Sequence, residues 1–263
     1  MKPALLEETV DLSLYPRLAA RLSIGTMGRA FYPFRSLNST QDFAQRLAAA
    51  GAPDGTVVVA DYQTRGRGRF SRPWVAEAGA NLLVSVLLRP HVPPSRLPQL
   101  SLMAAVASAE AIRDFSGLGA GIRWPNDLMV GERKVAGILS ESASVRGGID
   151  YAAVGIGVNV NQTDFPGEIT HRATSLALEL GAPLDREGLL EALLLALDRW
   201  YRVFVDDGFL PVRDAWRRLS VTLGRKVSTP DMAGIALDMD GDGALVVLTG
   251  SGERVRVLCG ELR

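Results

Sequence analysis

Polar and apolar positions change period several times along this chain, and each change marks an element. Residues Asp11 to Leu22 read as a short helix, and Arg29 to Leu37 as a strand. A helix is predicted from Thr40 to Ala50. Asn38-Ser39-Thr40 supplies side-chain oxygens that can cap the free N–H groups of a first turn, and Gly51 and Pro53 stop the helix. Thr56 to Asp61 and Asn81 to Leu88 are β-like runs on either side of a glycine-rich stretch. Ser95 to Phe115, rich in Ala and Leu, reads as a long helix packed on a sheet.

Short β runs follow at Gly121 to Trp124, Leu128 to Val130, Lys134 to Ser142 and Ile149 to Val160. Turns at Gly131-Glu132 and Gly147-Gly148 separate them, as hairpins require. Helices return at Arg186 to Val205 and Pro211 to Leu219. After Gly224 the chain becomes short β runs broken by Gly241-Asp242-Gly243 and Ser251-Gly252. The pattern predicts an α+β chain of two domains. Residues 1–220 form the larger one, with 1–28 as a helical extension, and 221–263 form a small all-β domain.

Composition narrows the function. Lys+Arg and Asp+Glu balance at 29 each, so any basic cluster is local, which disfavours a protein that coats nucleic acid. A single cysteine, Cys259, excludes a disulfide framework and fits a reducing compartment. Residues 1–20 lack the apolar core of a signal peptide, and no later stretch is apolar enough to span a bilayer, so a cytoplasmic location is expected. His91 and His171 have no metal-ligand spacing.

Against this neutral background, Arg65-Gly-Arg-Gly-Arg-Phe-Ser-Arg-Pro-Trp74 concentrates charge. Arginine presents a planar fork of donors suited to carboxylate and phosphate, and glycine lets backbone approach a ligand, so the stretch reads as a lid over an anion. It is neither a Walker loop nor a Rossmann fingerprint. Three further segments follow in order: Ile122-Arg-Trp-Pro-Asn-Asp-Leu128, Arg133-Lys-Val-Ala-Gly-Ile-Leu139 and Gly155-Ile-Gly-Val-Asn-Val160.

Together with Ser39-Thr40, these segments resemble the biotin protein ligases over residues 36–161. That resemblance implies a class II synthetase-like catalytic domain, a mixed sheet flanked by helices, with a small SH3-like β-barrel at the C-terminus. It implies two steps. Biotin and MgATP give biotinyl-5′-AMP and pyrophosphate, and the biotinyl group then passes to a lysine of a biotin carboxyl carrier protein or domain, in acetyl-CoA carboxylase or another biotin-dependent carboxylase.

Carried onto this sequence, the resemblance gives Lys134, Arg67 and Arg69 catalytic roles. It assigns biotin to Ser39, Thr40, Gln63, Gly66, Arg67, Lys134, Gly137 and Gly155, and nucleotide to Arg69, Arg72, Trp74, Asn126 and Asn159. Asp127 is the expected magnesium ligand. The residue types suit the chemistry, since a carboxylate meeting an α-phosphate needs positive charge and N–H donors around it. A mobile loop is expected before ligand binds. The chain departs from the family pattern at Gln41, where asparagine is usual, at Phe70, where arginine or histidine is common, and at Arg123, where lysine usually stands.

Three rivals share the resemblance. Lipoyl or octanoyl transfer shares the architecture, but octanoyl transferases depend on a cysteine in the catalytic domain, whereas Cys259 is near the end of the chain. A biotin-sensing repressor carries an N-terminal winged helix, for which the residues before Ser39 leave no room, so no DNA partner is expected. A non-catalytic biotin-binding regulator is disfavoured by Arg67, Arg69 and Lys134 together. No membrane partner is expected, and β-rich edges make a homodimer plausible.

Overall fold

The computed structural model describes residues 8–21, 25–145, 148–258, 260 and 262. Cys259, Leu22 and Gly147 of the expected 147–148 turn lie outside the described residues. The first expected helix is two pieces: a 3-10 turn, Leu12–Leu14, capped by the Asp11 carboxylate, then α1, Pro16–Arg21. Pro16 explains the division, since a proline starts a helix well and continues one badly.

The larger sheet contains β1 (Phe31–Phe34), β2 (Thr56–Ala60), β3 (Leu82–Leu88), β4 (Gly121–Arg123), β5 (Asp127–Val130), β6 (Arg133–Val145) and β7 (Gly148–Val158). Its spatial order is β1-β2-β3-β7-β6-β5-β4. Only β1 and β2 run parallel. Helix α2 (Thr40–Ala49) makes the parallel crossover from β1 to β2 and packs on β2, β3 and β7. Helices α3 (Leu97–Ser116), α5 (Arg186–Asp206) and α6 (Leu210–Leu219) pack together, with α3 against β4 to β7. A short α4, Leu176–Leu180, was not expected; Ser175 caps its start and Gly181, in the left-handed conformation, ends it.

Because strand side chains alternate, each strand feeds two faces. Val57 and Val59 of β2, Val84 and Val86 of β3, and Val154, Ile156 and Val158 of β7 join the large core with α3. Val58 and Ala60 join the smaller core under α2 with Phe34, Phe43, Leu47 and Ala153. Ser85, Gly155 and Gly157 alternate with large-core residues and so face the α2 side. In β6 a bulge breaks the alternation. Leu128 pairs with Ala136 but Met129 with Lys134, leaving Val135 extra. Both Val135 and Ala136 enter the core, while Lys134 and Gly137 line the opposite face.

The second sheet is an antiparallel meander of β8 (Lys226–Ser228), β9 (Ala233–Met239), β10 (Leu245–Thr249) and β11 (Arg254–Val257). Ala236, Met239, Leu245 and Val247 continue the same core as α3 and α6. Trp124 ties the sheets: its indole N–H donates to the Gly243 carbonyl at 3.4 Å, and its backbone N–H to the Thr222 hydroxyl at 2.8 Å.

Candidate active site

The α2 side of the larger sheet is low where glycines replace side chains, and the arginine loop spans it. The resulting cleft has a volume of about 540 Å³. Of the expected residues, Ser39, Thr40, Gln63, Arg67, Arg69, Arg72, Trp74, Asn126, Asp127, Lys134, Gly137, Gly155 and Asn159 line it together. Gly66 does not. Its carbonyl instead accepts the Trp74 backbone N–H at 2.9 Å.

At the α2 end, the Ser39 oxygen caps the helix by accepting the Asp42 N–H at 3.3 Å. This leaves the Ser39 hydroxyl proton to point elsewhere. Next to it runs a buried row of polar groups. Gln63 Oε1 accepts the Thr40 N–H at 2.7 Å and contacts Thr40 Oγ1 at 3.0 Å. Thr40 Oγ1 lies 2.9 Å from Ser85 Oγ, which donates to Gln41 Oε1 at 3.0 Å. Gln41 Nε2 in turn donates to the Ala153 carbonyl at 2.8 Å, which fixes the amide so that its oxygen faces Ser85.

The other end is cationic. Lys134 Nζ pairs with Asp127 Oδ1 at 2.5 Å, and Arg123 holds Asp127 Oδ2 at 2.9 Å. Neighbouring strands make this row, since Arg123 pairs with Asp127 across β4 and β5. Arg67 bonds Asp42 at 2.5 Å and Glu141 at 2.9 Å. Burial opposes its charge, but the hydrogen bond it donates to Asp42 and the nearby Glu141 carboxylate outweigh that and raise the guanidinium above its ordinary value. Arg69 donates to Asn126 Oδ1 at 3.1 Å and lies 5.0 Å from the Phe70 ring centroid. Phe70, a departure with no expected role, is exposed; it and Ser71 have φ of 55° and 56° in the left-handed region, a strained geometry for such residues.

Asp127 thus spends both oxygens on cations, and among the described residues no three His, Cys, Asp or Glu side chains cluster as metal ligands. Gly155 does not leave open floor, because an added Cβ would come 2.9 Å from Gln41 Oε1. Asn159 is buried. Its Nδ2 donates to the Thr174 carbonyl at 3.0 Å, and its Oδ1 has no partner among the described residues.

Sequence reasoning gave no role to Ser85, Gln41, Gly157, Phe165, Ile169 or Arg172, all of which line the cleft. Ser85 had a signal: it is the one hydroxyl inside Leu-Leu-Val-Ser-Val-Leu-Leu. Residues 165–173 had none, since their place depends on backbone bonds between Lys134 and Arg172 and between Thr174 and Lys134.

Comparison with known proteins places this geometry. The model of the biotin/lipoate A/B protein ligase family matches residues 34–161. The bifunctional ligase/repressor BirA of Bacillus subtilis is 38% identical over 237 residues, covering 88% of this chain and 73% of that protein. The biotin--[acetyl-CoA-carboxylase] ligase of Paracoccus denitrificans is 36% identical over 227 residues, covering 83% and 94%. Among solved structures, the Aquifex aeolicus biotin protein ligase in complex with biotin and ATP superimposes with a TM-score of 0.77 at 30% identity, covering 89% of this chain and 98% of that one.

Proposed function

The chain belongs to the biotin/lipoate A/B protein ligase family, and from that membership and the chemistry of its cleft we infer that it is a biotin protein ligase. It activates biotin with ATP to biotinyl-5′-AMP, then transfers the biotinyl group to a lysine of a biotin carboxyl carrier protein. The polar row under α2 is the observation that favours biotin over lipoate or octanoate. Gln63 and Gln41 present acceptor oxygens only, and Thr40 and Ser85 hold two hydroxyl protons between them. Three oxygen–oxygen contacts therefore share two protons. The row has room for one more N–H.

A ureido ring supplies that N–H, and its carbonyl can accept the Ser39 hydroxyl proton. A dithiolane or alkyl end has no N–H to give. Leaving buried polar groups unpaired costs about 1–3 kcal/mol each, so a polar slot rejects an apolar isostere strongly.

At the cationic end, ligand oxygens replace protein partners. The biotin carboxylate and the ATP α-phosphate take Lys134 from Asp127 and draw Arg67 and Arg69 from their partners, offsetting the repulsion of two anions brought together. Carboxylate oxygen attacks phosphorus, the α–β bridge breaks, and pyrophosphate leaves. In the second step the carrier's lysine amine attacks the acyl carbon and AMP leaves, so no nucleophile from this chain is needed. Asn159, with its free Oδ1, suits the exocyclic amine of adenine. Trp74 and Arg72 close over the adenylate.

Lys134→Ala tests the assignment of charge. Biotin-dependent exchange of pyrophosphate into ATP is expected to fall by at least about 100-fold, the scale of losing a preorganised donor to developing charge, with circular dichroism unchanged. Exchange within a few-fold of the unaltered chain removes Lys134 from this role.

A further inference from the structure

Gly137 and Gly157 face each other across β6 and β7. A Cβ added to Gly157 would lie 2.6 Å from Trp74 Cε2, 2.8 Å from Cζ2 and 3.0 Å from Nε1. One added to Gly137 would lie 3.0 Å from Trp74 Cζ3 and 3.1 Å from Lys134 Cε and Nζ. The contacted atoms sit on different edges of one indole, so the ring spans both glycines. The missing side chains make room for the protein's own tryptophan, and Gly157 has the closer contact.

Trp74 ends the arginine loop, and the loop is tied to it. The Trp74 N–H bonds the Gly66 carbonyl at 2.9 Å, and the Gly68 N–H bonds the Arg72 carbonyl at 2.8 Å. Arg67 and Pro73 form a bridge between the two limbs. Lifting the indole therefore lifts the segment that carries Arg67, Arg69 and Arg72. Lys134 lies against the same ring, its Nζ 5.5 Å from the centroid.

We propose that Gly157 is a positioning residue: its absent Cβ is the seat on which Trp74 closes the arginine loop, and retention of the acyl-adenylate depends on that seat. The inference rests on the ligase reading above. A methyl group at 157 meets a rigid bicyclic ring between two strands, where neither side yields easily. The indole rides higher and the loop closes less completely.

The test compares adenylate escape with adenylate formation in the full chain carrying Gly157→Ala. Biotinyl-adenylate is formed in a single turnover without carrier, and its escape is timed by rapid gel filtration; formation is timed by biotin-dependent pyrophosphate exchange. The ratio of escape to formation is expected to rise at least about tenfold. An unchanged ratio in a folded variant overturns the inference. Trp74→Ala supplies the second arm, since it removes the ring that supplies the three atoms nearest to a Cβ at 157. The double variant should then release adenylate no faster than Trp74→Ala alone, whereas additive effects would mean that Gly157 acts elsewhere. If Gly157→Ala fails to fold, Trp74→Ala alone must still raise the ratio, and an unchanged ratio there overturns the inference. Absence of biotin-dependent exchange in the unaltered chain would remove the ligase reading itself, a result separate from either ratio.

Discussion

Thr40 and Ser85 meet across the gap between α2 and β3, and each has a single proton to give. Ser85→Ala leaves Gln41 Oε1 without its donor in a buried place, at a cost of about 1–3 kcal/mol shared between folding and binding. Biotin affinity, measured by isothermal titration, should fall roughly tenfold for about 1.4 kcal/mol, while the affinity for ATP alone stays as it was. An unchanged biotin affinity would show that this row does not hold the ureido ring. At this scale the sequence was partly readable. Lys134, Arg69 and Asn126 stood in ordered motifs and reach one cleft. Ser85 broke an apolar run, but only strand pairing shows which face it serves. Gln41 was visible as a departure; its contact with Ala153 depends on where β7 lies.

Elements carry the lid. Arg186, at the start of α5, pairs with Asp61 Oδ1 at 2.9 Å and donates to the Asn81 carbonyl at 3.1 Å. Asp61 precedes the arginine loop and Asn81 immediately precedes β3 after it, so one guanidinium holds both stems. Both partners of the ion pair are mostly buried, with side chains 20% and 17% exposed. Arg186→Met is expected to cost about 2 kcal/mol, as for a charged hydrogen bond lost from a sheltered place, and to speed trypsin cleavage between Arg65 and Arg72. Unaltered cleavage at equal stability would show that the stems are held otherwise. Elements with a cap or a long period were the readable ones: α2 starts at its Ser39 cap, and α3 and α5 keep their length within a turn. The bulge at Val135 was not readable, because an extra residue in one strand is defined only against its partner. That bulge puts Lys134 and Gly137 on the cleft face.

Across the whole molecule, the small sheet shares the larger sheet's core. Met239, Leu245 and Val247 pack with α3 and α6, and Gly243, with φ of +91°, lies so close that a Cβ there would come 2.8 Å from Leu102. A chain cut after residue 220 would bare this apolar surface and strip Trp124 of its bonds to Gly243 and Thr222. It is expected to melt at least about 10 °C lower, as a loss of several kcal/mol implies for a chain of this size; equal melting temperatures would mark the small sheet as an independent unit. Among the described residues, no helix is long and apolar enough to cross a membrane. The whole cleft activates biotin in preference to other acids, and biotin-dependent exchange of labelled pyrophosphate into ATP tests this most directly. Exchange should require biotin and be negligible with lipoate or octanoate; no exchange with biotin, or equal exchange with all three acids, would contradict it.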